Sequence, residues 1–302
     1  MLSMKLGGTI QGGIFMRIST EISSPAKLVG EEMAVELVAK AGFDAWDFSM
    51  FGMCEIKRFP RGAFGTEHPL SKTDYLSFAR RLRNIGLDNG IVCNQSHAPF
   101  PSIYPDCELY LKRAIECTAE AGGNICVIHP EDSVSVEDNI KMYSDLLPFA
   151  KECGVKIATE NMWGWDYVAD RACFAICATE ESFCQLIDAV DDDFMVACLD
   201  IGHAEMMGDD VSAEGLIRAL GKRLAALHIH DNDRLHDSHQ IPFSMNIDFS
   251  KVIKALKEIN YSGYFTLEAV QHLKNFEKHK VLDGLKEMSQ SAKKLCAMYV
   301  AF

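Results

Sequence analysis

From Met16 onward, short segments rich in apolar and β-branched residues alternate with longer segments of helical period, and no linker or low-complexity stretch interrupts them. The candidate strands are RISTEI (17–22), AWDFSM (45–50), GIVCNQSH (90–97), NICVIH (124–129), VKIATEN (155–161), FMVACLD (194–200), AALHIH (225–230) and GYFTLEA (263–269). Between them, Met33, Leu37, Val38 and Ala41 share one apolar helical face, Tyr75, Phe78, Ala79 and Leu82 a second, and Val252, Ile253, Leu256 and Ile259 a third. Gly42, Gly86, Gly122, Gly154 and Gly263 sit at strand entries, where a preceding helix is expected to stop at a left-handed residue. Eight strand–helix units predict an α/β fold, a single-domain (β/α)8 TIM barrel over residues 16–302. An open doubly wound sheet is the alternative, weakened because no G-x-G-x-x-G follows the first strand. The opening MLSMKLGGTIQGGIF (1–15) reads as an N-terminal extension, too short in its apolar centre for a secretory signal.

Composition narrows the function. The 302 residues are 48% hydrophobic and 24% charged, a balance that builds a substantial core. A formal charge of −13 repels phosphate backbones and suits cations, so no nucleic-acid partner is expected. The eleven cysteines form no C-x-x-C pair and lie mostly in apolar stretches, which fits a reduced, cytoplasmic protein. No apolar run is long enough for a membrane helix, so no membrane partner is expected.

The polar residues at the strand ends change the picture most. In a barrel of this kind the C-terminal strand ends carry the chemistry. Here they hold His97, His129, Glu160, Asp200 with His203 close behind, His228 and His230, and Glu268. The stretch LHIHDNDRLHDSHQ alone gathers four of the chain's ten histidines and Asp231, Asp233 and Asp237. A charged carboxylate at the end of a buried strand costs several kcal/mol unless it is paired or bound to a cation. Carboxylates and imidazoles converging from successive strands therefore point to a divalent metal ion held by oxygen and nitrogen donors, a set that suits Mn²⁺, Mg²⁺, Co²⁺ or Zn²⁺. A strand histidine such as His97 or His129 has an ordinary alternative as a hydrogen-bonded core residue. His228 and His230 share one face by the two-residue period, so at least one is expected to be a ligand. Trp163 and Trp165 fit either a packed core or the apolar wall of a pocket.

The succession HAPF, HP, EN, LDIGH, H-x-x-D and LE, one motif per strand from the third to the eighth, resembles the xylose-isomerase-like barrels: sugar phosphate isomerases/epimerases, ketose 3-epimerases and endonuclease IV-type AP endonucleases. The resemblance implies a metal-dependent sugar or sugar phosphate isomerase/epimerase acting by proton transfer through an enediolate. Its metal ligands would be Glu160, Asp200, His228 and Glu268, around one divalent ion, manganese first among the candidates. Glu160 and Glu268 would also be the catalytic base and acid, and His203, Arg234, His97, His129, His230 and Trp163 would face a small-molecule sugar. The same positions, together with Asp237 and His239 as possible additional metal ligands, match the three-zinc site of the endonuclease IV-type enzymes, which implies a phosphodiesterase as the alternative. Net charge weighs against that alternative. A metal-dependent lyase subunit that cleaves C-glycosides and a non-catalytic sugar-binding module are further readings, and a homo-oligomer is compatible with all of them.

Overall fold

The eight apolar segments pair in parallel because each is flanked by a helix that covers its outer face and leads back to the same end of the next strand. In this computed structural model, which describes residues 16–208 and 210–302, the strands are β1 (Arg17–Glu21), β2 (Ala45–Ser49), β3 (Val92–His97), β4 (Ile125–Val127), β5 (Lys156–Glu160), β6 (Met195–Asp200), β7 (Leu224–His228) and β8 (Tyr264–Leu267). They lie in sequence order around the sheet, with β8 returning to pair with β1. The seam between β7 and β8 is closed by Ile229, whose N–H donates to the Thr266 carbonyl (2.9 Å) and whose carbonyl accepts from the Glu268 N–H (3.0 Å). The molecule is the single (β/α)8 barrel that the sequence pattern predicts. The N-terminal extension lies outside the described residues.

The outer helices are α1 (Glu31–Ala41), α2 (Tyr75–Asp88), α3 (Cys107–Ala121), α4 (Val136–Glu152), α5 (Glu180–Val190), α6 (Ala213–Leu220), α7 (Phe249–Glu258) and α8 (Val281–Ala301). Ser135 and Thr179 start α4 and α5 with reciprocal capping boxes. Outward strand residues such as Trp46, Phe48, Ile157, Leu199, Leu227 and Phe265 pack against these helices in one buried cluster. Burying each aliphatic side chain there contributes roughly 1.5–3 kcal/mol. The inward residues are different. Val127, Ala158, Val196, Cys198 and Ala226 form a separate small apolar plug, and Ser19, Asp47, Asn94, Gln95 and Thr266 form a buried polar network.

Two expectations about local structure need correction. Gly86 does not end its helix: α2 continues to Asp88, and Gly86 packs where a Cβ would sit 3.0 Å from Trp46 Nε1 and 3.2 Å from the Ile91 carbonyl. Gly42, Gly122 and Gly154 do have positive φ at the ends of their helices, but Gly263 does not: after α7 the left-handed residue is Asn260, at φ 57°. Met33 is 44% exposed, because the buried face of α1 runs through Ala34, Val35, Val38 and Ala41. Two antiparallel hairpins, Cys54–Arg58 with Arg61–Gly65 and Trp163–Asp166 with Arg171–Phe174, follow β2 and β5 and were not expected from the pattern.

Candidate metal centre

The strand register assembles the site. Asp200 at the end of β6 is level with His228 at the end of β7, and Glu160 at the end of β5 is level with Cys198, one pleat below Asp200. Glu160, Asp200, His228 and Glu268, all buried, each present one donor atom, and these atoms lie within 4.8 Å of one another. His228 Nδ1 is 3.1 Å from Glu160 Oε1 and 3.6 Å from Glu268 Oε2. Yet His228 Nδ1, Glu160 Oε1 and Asp200 Oδ2 are all buried without a hydrogen-bond partner among the described residues. Close nitrogen and oxygen atoms that do not point hydrogen bonds at each other are what a cation between them requires, so the donor set fits a divalent metal ion.

Local geometry explains the motifs. The Asp200 carboxylate accepts from the His203 N–H (2.7 Å) as the cap of the short helix Ile201–Glu205, which fixes the D-x-x-H spacing. The Asn161 side chain clamps the Asp200 backbone through two bonds of 2.8 and 2.9 Å, so the residue after Glu160 ties β5 to β6. Between Asp200 and His203, a Cβ at Gly202 would fall inside the His230 ring, so only glycine fits. The aspartate of H-x-x-D is a scaffold: buried Asp231 accepts from the N–H groups of Asn232, Met245 and Ile247 at 2.9, 2.8 and 3.0 Å. It thereby pins the loop that carries Asp237 and His239.

Two further donor groups adjoin the first. His97, His129 and Glu160 form one: the two imidazole Nε2 atoms are 2.6 Å apart, and His129 Nε2 is 3.1 Å from Glu160 Oε2. His203, His230, Asp237 and His239 form the other, with His230 Nε2 3.1 Å from Asp200 Oδ1 and 3.4 Å from Asp237 Oδ1, and His239 Nε2 3.0 Å from Asp237 Oδ2. His230 Nε2 and Asp237 Oδ1 are again buried without a hydrogen-bond partner among the described residues.

The surroundings set the charges. Burial favours a neutral Glu160, but the facing His228 and His129 overcome it and hold the carboxyl well below the usual carboxylate range. Burial pushes Glu268 up to about 8, with His228 and His239 offsetting only part of the effect. Burial disfavours charge on His239 as well, but its bond to Asp237 and the nearby Glu268 raise it to about 10. His97 is pushed well below the ordinary imidazole value by burial and by His129.

A cavity of about 320 Å³ opens above these groups, walled by Phe51, Phe100, Met162 and Trp163, and no lysine or arginine lines it among the described residues. Its polar lining includes His97, His129, His203, Asp237 and His239 as well as Glu160 and Glu268. His230 is fully buried behind Asp200. Trp163 stands 6.4 Å, ring to ring, from His203, whereas Trp165 stacks on His236 outside the cavity. Arg234 is not brought in: its guanidinium lies 3.6 Å from Glu205, and the residue lines a separate cavity of about 300 Å³ together with Arg171. Phe51 and Met162 were missed in the sequence, although each follows closely on a strand end; Phe100 stood inside the HAPF motif without a role.

A closed eight-stranded barrel with clustered carboxylates and imidazoles at its C-terminal mouth defines a class of barrel proteins rather than one activity. Residues 35–294 match the model of the Xylose isomerase-like TIM barrel family, and the chain belongs to that family. An uncharacterised protein of Methanocaldococcus jannaschii is 28% identical over 253 residues, which is 78% of each chain. Among solved structures, a D-tagatose 3-epimerase-like protein superposes with a TM-score of 0.66 at 23% identity, covering 92% of this chain and 99% of the other. The 3-keto-D-glucoside 4-epimerase from E. coli superposes with a TM-score of 0.63 at 16% identity, covering 91% of this chain and 99% of the other. The structural neighbours thus include sugar epimerases. No described helix is long and apolar enough to cross a membrane.

Proposed function

We propose that the protein is a divalent-metal-dependent sugar epimerase or isomerase in which Glu160 and Glu268 carry the proton. The observation that supports this best is the buried group of Glu160, Asp200, His228 and Glu268, whose donor atoms lie within 4.8 Å of one another, three of them unpaired among the described residues, beneath a cavity the size of a small sugar. A bound divalent ion, Mn²⁺ first and Mg²⁺, Co²⁺ or Zn²⁺ as alternatives, supplies positive charge opposite the oxygens of a ketose, where negative charge grows as the neighbouring C–H proton leaves. The four residues would hold the ion. Glu160, kept ionised by His228 and His129, accepts the proton. Glu268, whose carboxyl burial raises to about 8 in the metal-free protein, is the group that returns one: to the same carbon for epimerisation, to the next for isomerisation. His97, His129 and His203 offer hydrogen bonds to hydroxyls, Trp163, Phe51 and Phe100 pack against the C–H face of the sugar, and the lining free of lysine and arginine suits an unphosphorylated reacting end.

A second reading has its own observation. The His97–His129–Glu160 and His203–His230–Asp237–His239 groups, which include Asp237 and His239 as additional ligands, would let the site hold three ions. Once metal has displaced their protons, Glu160, Asp200, Asp237 and Glu268 balance two divalent ions, so one ion leaves the floor negative and a neutral sugar fits, whereas three leave it positive and a phosphodiester fits. The test is elemental analysis of protein purified without chelator, alongside a ketose panel in D₂O. About one metal equivalent and deuterium exchange at carbon, abolished by chelation and restored by Mn²⁺, are expected. Three equivalents without exchange, and cleavage of a phosphodiester, would replace the first reading with the second.

A further inference from the structure

We propose that Asp47, in the middle of β2, is the positioning residue for the His228 imidazole: it takes the Nε2–H so that the Nδ1 lone pair faces the metal centre. This rests on reading Glu160, Asp200, His228 and Glu268 as that centre. Asp47 and His228 are both 1% exposed, and Asp47 Oδ2 lies 3.3 Å from His228 Nε2. On the other side of the ring, Nδ1 has no hydrogen-bond partner among the described residues although Glu160 Oε1 is 3.1 Å away. An imidazole in the other tautomer would aim an N–H at the carboxylate cluster and could not ligate.

The direction of the Asp47 contact is set from further away. Gln95 Nε2 donates to Asp47 Oδ2 at 2.9 Å, and this amide cannot flip, because its Oε1 accepts from Asn94 Nδ2 and Thr266 Oγ1, each at 3.1 Å. The Asn94 amide is oriented in turn by Ser19, whose hydroxyl donates to Asn94 Oδ1 at 2.6 Å. A register shift between Trp46 and Asp47 against β3 puts Gln95 level with Asp47, in reach of the barrel interior beside its neighbour Asn94. The chain of polar groups therefore crosses β1, β3, β8 and β2 to end on a ring nitrogen of β7. A buried carboxylate in the middle of a strand is a costly way to fill space. It is an effective way to fix the tautomer and orientation of a metal-ligating histidine, and loss of such partners typically weakens metal binding ~10–100-fold.

The test compares the wild-type chain with D47N, D47A and Q95L. Mn²⁺ affinity is measured by chelator competition on metal-stripped protein, and the stability of the same stripped samples is followed by urea denaturation. D47A is expected to bind Mn²⁺ ~10–100-fold more weakly, and D47N, whose amide oxygen can still accept from Nε2, ~3–10-fold more weakly. Q95L is expected to shift affinity in the same direction as D47N. If D47A does not fold, D47N and Q95L carry the test. Folded D47N and Q95L that bind Mn²⁺ within ~2-fold of the wild type, whatever their urea midpoints, would overturn the positioning role while leaving the metal centre intact. A wild-type chain with no measurable affinity for any divalent ion would overturn both.

Discussion

Glu160 and Glu268 are the same residue type a few ångströms from the same imidazole, yet their surroundings push them to opposite protonation states. In the metal-free protein burial is the largest influence on both; at Glu160 the facing His228 and His129 together outweigh it and hold the carboxyl low, whereas Glu268 rises to about 8. Pairs pushed apart in this way carry acid–base chemistry at neutral pH. Changing either to Gln keeps the shape, removes the charge and removes the proton carrier. E160Q and E268Q are each expected to lower kcat for the preferred sugar by more than ~10²-fold, with circular dichroism unchanged. Losses under ~10-fold in both variants would remove the two-glutamate mechanism.

At the scale of elements, the loop after β7 depends on one buried aspartate. Asp231 accepts N–H groups from Asn232, Met245 and Ile247, and its backbone exchanges bonds with Gln240 at 2.7 and 3.0 Å. Removing the carboxylate leaves donors unpaired, at about 1–3 kcal/mol each where they are buried. D231A is therefore expected to lower unfolding free energy by about 2–4 kcal/mol and to reduce metal held through Asp237 and His239 before metal held by the four-group centre. Urea denaturation and metal analysis of one preparation check both; unchanged stability would show that the loop holds itself. The strands were legible because eight apolar runs recur at regular spacing, and the metal-binding candidates were legible because ionisable residues interrupt those runs at their ends. Asp47 and Gln95 were not, because AWDFSM and GIVCNQSH read as ordinary strands, and the register shift that brings Gln95 level with Asp47 depends on pairing between segments far apart in sequence. Arg234 has the spacing of a substrate residue, but its positive φ of 69° and its contact with Glu205 turn it into the neighbouring cavity.

For the whole molecule, the buried cluster of ionisable groups at the barrel mouth is expected to couple stability to pH. In the metal-free protein Glu268 is raised to about 8 and His239 to about 10, and His228 also lies well above its ordinary value, burial being outweighed by Cys198, Glu160 and Glu268. A group whose folded pKa is raised binds its proton more tightly when folded, so its contribution is complete below the unfolded pKa and is lost as pH rises through the folded one. For Glu268 that window runs from about 4.5 to about 8, and for His239 from about 6.5 to about 10. Glu160 is lowered, so its contribution is lost only on the acid side. Stripped protein is therefore expected to be less stable at pH 8.5 than at pH 6.5, because the carboxylates of the cluster then face one another with fewer protons between them. A divalent ion takes the place of those protons, so the stabilisation that Mg²⁺ or Mn²⁺ adds should be larger at pH 8.5 than at pH 6.5. Urea midpoints at the two pH values, with chelator and with metal, measure all four corners of this cycle. A stripped protein at least as stable at pH 8.5, or a metal effect that does not grow with pH, would show that the clustered groups do not exchange protons for an ion.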